Sequence, residues 1–168
     1  MREITEIIIH HSASDFGNAK LIDKWHKEFG WDGIGYHFVV LNGFQTNQDF
    51  VDRRLEHTAL GKIEKGRDIE KVGSHAKGRN KKSIGVCLIH NKLAYNQAQL
   101  SKYRNLVATL AVMYKIPVTN IIGHYEIDKG KPLCPSLNME VERELIKNEM
   151  KYIMDRDINF IKQIMGGK

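Results

Sequence analysis

The stretch Glu6-Ile7-Ile8-Ile9-His10-His11 constrains this chain more than any other, because three consecutive β-branched residues run directly into two histidines. An unbroken apolar run of that kind reads as a buried strand. Imidazoles at the end of such a strand are satisfied core groups, or they hold a metal. A second stretch, Asn120-Ile121-Ile122-Gly123-His124, repeats the pattern, and Lys131-Pro132-Leu133-Cys134-Pro135 follows it with a cysteine between prolines. Two strand-end histidines and a loop thiol are the donor types of a zinc site.

The 168 residues fit one domain, long enough to bury roughly two-thirds of the surface of the unfolded chain. No segment approaches the ~18 apolar residues of a membrane span, so membrane insertion is not expected. The amino terminus lacks the apolar length and cleavage site of a secretory signal, which predicts synthesis in the cytoplasm without one. A net charge of +6 and a pI near 9.3 favour an anionic partner: nucleic acid, an acidic membrane face or a cell-wall polymer. The basic residues are densest from Lys62 to Lys82, without the aromatic ladder or reading motif of a nucleic-acid binder. That stretch reads as a solvated face, and nucleic acid is an unlikely partner. Two cysteines give no disulfide framework, and Cys87 reads as a small buried hydrophobe.

Along the chain, Asn18 is placed to cap a helix over residues 19–29, whose Leu21, Ile22, Trp25 and Phe29 form one apolar face. That face is read as core, and Trp25 and His26 receive no functional role. A strand over 36–41 follows, with Tyr36 and His37 on opposite sides. Asn42-Gly43 signals a hairpin, yet the returning strand over 61–67 is delayed by a surface insertion at residues 44–60 with a helical turn around 50–55. Residues 72–80 are glycine-rich and basic without the order of a phosphate loop, and read as a substrate loop. A strand over 83–89, a helix capped by Asn96 through Tyr114, and a carboxy-terminal helical segment at residues 139–168, broken near Asp155, complete the reading. The alternation predicts a single α/β domain over residues 1–168, with a central mixed sheet flanked by helices on both faces.

Catalytic zinc has three protein ligands and an open position for water, and His10, His124 and Cys134 supply three. His11 can take the place of His10, since the strand's phase is not fixed by sequence.

The residues also carry a resemblance. Ile7-Ile8-Ile9-His10-His11-Ser12-Ala13, Trp25-His26-Lys27-Glu28, Gly35-Tyr36-His37-Phe38, Glu64-Lys65-Gly66-Arg67, Gly73-Ser74-His75-Ala76-Lys77-Gly78, Ser83-Ile84-Gly85-Val86-Cys87-Leu88, Gly123-His124 and Cys134-Pro135 occur in the right order. By these segments the chain resembles the zinc-dependent N-acetylmuramoyl-L-alanine amidases of the phage lysozyme and peptidoglycan recognition protein superfamily. The resemblance implies one catalytic Zn2+ on His10, His124 and Cys134, and hydrolysis of the amide between the lactyl group of N-acetylmuramic acid and L-alanine in peptidoglycan, as in an endolysin. It implies a catalytic role for Tyr36 and places Arg67, His75, Lys77 and Asn80 along the substrate groove. The family lysine two residues before the cysteine is replaced by Pro132, which leaves Lys131 as the candidate for its charge. The implied site of action is the bacterial cell wall, after release or export. Phage lysozymes of this group also bind RNA polymerase; here their basic amino-terminal extension is missing and the 44–60 insertion alters the surface, so that partner is carried over only by analogy. The competing readings are a non-catalytic peptidoglycan-binding module, which Cys134 argues against, and a structural zinc closed by His11 or His75.

Overall fold

The computed structural model describes residues 2–91 and 93–164. Strands β1 (Glu6–His11), β2 (Phe38–Asn42), β3 (Leu60–Lys65), β4 (Ser83–Leu88) and β5 (Ile121–Gly123) form one sheet in the order β3-β2-β4-β1-β5. β1 pairs in parallel with both β4 and β5, β2 pairs in parallel with β4, and only β3 runs antiparallel, against β2. The sheet is therefore mixed, and four carboxyl ends share one edge. In open α/β sheets that edge is where ligands bind.

Both faces are covered, which is why Ile7, Ile8 and Ile9 are all fully buried. On one face α3 (Gln97–Met113) and α5 (Met139–Ile164) bring Leu100, Tyr103, Val107, Leu110 and Ile146 onto Ile7, Ile9, Ile84, Val86 and Leu88. On the other, α1 (Ala19–Glu28) sets Ile22 against Val39, Leu41, Cys87 and Ile89. The expected caps are present: Asn18 Oδ1 accepts from Leu21 N at 2.9 Å and Asn96 Oδ1 from Ala98 N at 2.8 Å. α3 and α5 are locked together by a two-pronged pair from Arg104 Nε and Nη2 to the Glu142 carboxylate, at 2.9 and 2.8 Å.

Four local expectations are corrected. α5 runs unbroken past Asp155, because residues 139–164 contain no glycine or proline and an interior aspartate costs a helix only about half a kcal/mol. Residues 165–168 of the expected segment lie outside the described residues. The helical turn of the 44–60 insertion is α2 (Asn47–Val51), earlier than expected, because Thr46 and Asp49 form a reciprocal capping box. β2 starts at Phe38, so Tyr36 and His37 precede it. Phe29 is not core: it is 74% exposed, just past the end of α1.

Candidate metal centre

His10 is the penultimate residue of β1, opposite Cys87 of β4, and shares its side of the strand with Ile8, whereas the final residue, His11, points the other way. His124 is the first residue of α4 (His124–Ile127), directly after β5, and Cys134 hangs from the loop beyond it. The parallel pairing of β5 with β1 thus carries two distant histidines to one place. Ligand atoms of His10, His124 and Cys134 all lie within 4.8 Å of one another, and all three residues are buried. Cys134 Sγ is 4.0 Å from His10 Nδ1, close to the ~3.6 Å edge between N and S in a tetrahedral zinc site. The His11 ring is engaged elsewhere, with Nδ1 donating to His90 O at 3.0 Å, while the His11 backbone N–H donates to Cys134 Sγ at 3.4 Å. Among the described residues the cluster has three members.

The electrostatics suit a cation. Burial pushes the pKa of His10 well down, and His75, His124 and His11 add to it; burial also lowers His124, against the pull of Asp128. Both imidazoles are neutral, as ligands must be. Burial raises the Cys134 thiol to about 11 despite the His11 N–H, so the thiolate forms only when a cation takes the proton's place.

His10 is held from behind. With Nδ1 facing Cys134, its Nε2 carries the proton and donates to His75 Nδ1 at 3.0 Å. His75 Nε2 lies 3.4 Å from Ser83 Oγ, which donates to Arg79 O at 2.9 Å. Burial holds His75 down to about 3, keeping it neutral in this chain. The space for its ring exists because residue 85 is glycine: a Cβ there would fall 2.6 Å from the His75 ring. Asn80 Oδ1 accepts from the backbone N–H of His75 and Ala76 at 2.9 and 2.8 Å, and Arg79 pairs with buried Glu6 at 2.8 Å. His75 and Asn80, expected in the groove wall, thus shape the loop behind His10.

Two hollows flank the cluster. One, of about 300 Å³, is lined by Ser12, Ser14, Trp25, His26, Phe29 and Tyr36, and the Tyr36 ring lies 5.1 Å from that of His10. Burial raises the Tyr36 phenol well above its usual pKa. His26 Nδ1 accepts from Gly35 N at 3.0 Å, which leaves its Nε2 as a donor. The α1 stripe does meet the core, with Ile22 buried in it and Trp25 packed against it, but Trp25, His26 and exposed Phe29 also line this hollow, which the periodicity does not reveal. The other hollow, of about 250 Å³, is lined by Lys77, His124, Ile127 and Asp128. Lys131 is exposed, and its charge lowers the pKa of both His124 and Cys134. Arg67 is held by its own surroundings: Nε donates to Ile34 O at 2.8 Å, Nη1 to Val72 O at 3.0 Å, and Nη2 pairs with Asp32.

Fold and site together define an α/β protein whose sheet edge presents a three-donor cluster able to bind a metal, open to hollows on either side. The family model described as N-acetylmuramoyl-L-alanine amidase matches residues 1–136, and the chain belongs to that family. It is 34% identical over 160 residues to an endolysin of Escherichia phage T7, covering 89% of this chain and 91% of that one. Its identity to an endolysin of Klebsiella phage KP32 is 32%, covering 89% and 90%. The solved structure of N-acetylmuramoyl-L-alanine amidase LysC from Clostridium intestinale URNW matches with a TM-score of 0.69 at 27% identity, covering 89% of this chain and 87% of that one. The chain is thus a peptidoglycan amidase by family, and α5 lies beyond the family match.

Proposed function

We propose that the protein is a zinc-dependent endolysin-type hydrolase that cleaves the amide between the lactyl carbonyl of N-acetylmuramic acid and L-alanine, with the ion on His10, His124 and Cys134. The observation that carries this reading is the convergence of two neutral imidazoles and one thiol at the sheet's carboxyl edge, beside an open hollow. Zinc bound there supplies a Lewis acid and lowers the pKa of a coordinated water to ~7.

The chain's own residues do the rest. His75 fixes the tautomer and ring plane of His10 through the Nε2–Nδ1 bond. The Tyr36 hydroxyl, kept protonated by its raised pKa, donates to the carbonyl oxygen as negative charge develops on it. Lys131 adds positive potential at the same place. Trp25, His26 and Phe29 give the substrate an aromatic wall with one N–H donor, and Lys77 attracts anionic groups on the far side. Arg67 and Asn80 hold the shape of the groove through their bonds to Ile34, Val72 and the 75–76 backbone. The substrate is cell-wall peptidoglycan, and among the described residues no helix is long and apolar enough to cross a membrane.

The test is mass spectrometry of purified peptidoglycan after incubation with the protein, with Cys134→Ser, and with chelator-treated protein. Stem peptides with a free L-alanine amine should appear with the native protein alone. Peptidoglycan that stays uncut while retaining the protein would replace the hydrolase by a binding module.

A further inference from the structure

Cys134 is the one donor of the three that does not come from the sheet edge. Its loop is largely exposed: Lys131 and Pro132 face solvent, and Leu133 is 72% exposed. A ligand on such a loop must be held from outside. Two bonds from other elements do this on consecutive carbonyls. Tyr125 N donates to Cys134 O at 2.8 Å, and the Tyr95 hydroxyl donates to Pro135 O. The first is backbone to backbone; the second depends on a side chain.

Tyr95 lies in the segment before α3, and its ring is clamped. The His90 imidazole stacks on it with centroids 3.7 Å apart and planes 15° from parallel. His90 is itself 8% exposed, its backbone N–H donates to Ser12 Oγ at 3.2 Å, and its carbonyl accepts from His11 Nδ1 at 3.0 Å. His11 N in turn donates to Cys134 Sγ at 3.4 Å. The contacts close a ring around the thiol, from His11 to His90, from His90 to Tyr95, from Tyr95 to Pro135, and along the chain back to Cys134. Each member restricts the next, so the sulfur has little freedom to swing away from His10.

We propose that Tyr95, braced by His90, is a positioning residue that holds Cys134 in its ligating place. The inference rests on the metal-site reading above and assigns a role to a hydroxyl that touches neither ion nor substrate. Tyr95→Phe is the clean perturbation, because the ring and its stack on His90 remain while buried Pro135 O loses its donor. Removing a partner of this kind typically weakens metal affinity by about 10–100-fold. His90→Ala removes the stack but keeps the backbone bonds, and should act in the same direction with a smaller effect.

The experiment measures zinc affinity by competition with a chromophoric chelator, the thiolate-to-metal charge-transfer band of the Co2+-substituted protein, and the melting midpoint of the metal-free protein. Zinc binding about 10–100-fold weaker in Tyr95→Phe, with an altered cobalt band and a metal-free midpoint close to native, supports the proposal. Native affinity and an unchanged band overturn it. A weakened affinity accounted for by an equally lowered metal-free midpoint also overturns it, since the hydroxyl would then stabilise the fold rather than place the ligand. Native protein that binds zinc yet leaves peptidoglycan uncut removes the hydrolase reading and leaves the role of Tyr95 standing; native protein that binds no zinc removes both.

Discussion

His37 makes the stability of this protein respond to pH in a way that one substitution isolates. The residue is 1% exposed, its Nδ1 accepts from Gly85 N at 2.9 Å, and its Nε2 donates to Lys71 O at 3.1 Å. Burial is the chief reason its pKa falls to about 4; the Lys71 carbonyl opposes the shift, and the Arg2 guanidinium, 3.0 Å from Nε2, adds to it. In the unfolded chain the same imidazole takes its proton near ~6.5. Between those values the unfolded state binds a proton that the folded state refuses, so stability falls as pH falls. Above the unfolded pKa the residue adds no pH dependence. At ~1.4 kcal/mol per unit, the full window of about 2.5 units is worth about 3.5 kcal/mol. In His37→Asn the side-chain oxygen replaces Nδ1 as the acceptor for Gly85 N, and nothing at the position titrates. Urea unfolding with chelator present, at steps from about pH 7 to about pH 4.5, should show native protein losing about 1 kcal/mol more per pH unit than the variant. The variant starts less stable, having lost the bond to Lys71, and the two curves converge on acidification. Curves that stay parallel would refute the argument, since His37 would then titrate alike in both states.

Further outcomes follow from the same geometry. Gly85→Ala puts a Cβ 2.6 Å from the His75 ring and should weaken zinc binding by about 10–100-fold, read by chelator competition. Tyr36→Phe should lower kcat by about 10²–10³-fold while zinc content, measured by atomic absorption, stays at one per chain. Arg104→Ala leaves the Glu142 carboxylate, 4% exposed, without its partner and should cost about 3–5 kcal/mol in urea unfolding.

The three proposed ligands were legible because each stands where a strand or a proline-bounded loop delivers it, and the caps at Asn18 and Asn96 because their side chains act locally. The mixed sheet with helices on both faces was legible for a similar reason: apolar runs and helical stripes report which surfaces must be covered. Trp25, His26 and Phe29 were not, because a 3.6-residue stripe says that a face meets protein but not whether a cavity lies between. His75 could be assigned to the site region by resemblance, yet its contact with His10 depends on the missing side chain of Gly85, and an absent carbon announces nothing about which ring fills its place. The choice of His10 over His11 came from resemblance too; the strand's phase rests on pairing with β4, which no local pattern encodes.

The placement of β1 has a consequence for when the enzyme can exist during synthesis. This strand is made first but sits between β4 and β5, whose residues begin at Ser83 and Ile121. Until those arrive it has no neighbour to pair with, and His10 and Cys134 are 124 positions apart in sequence. Contacts of such long range form slowly. A nascent chain that has reached β4 holds one donor of the three, so products stopping short of Cys134 are expected to bind metal poorly, and the cluster is complete only once residue 134 has been made.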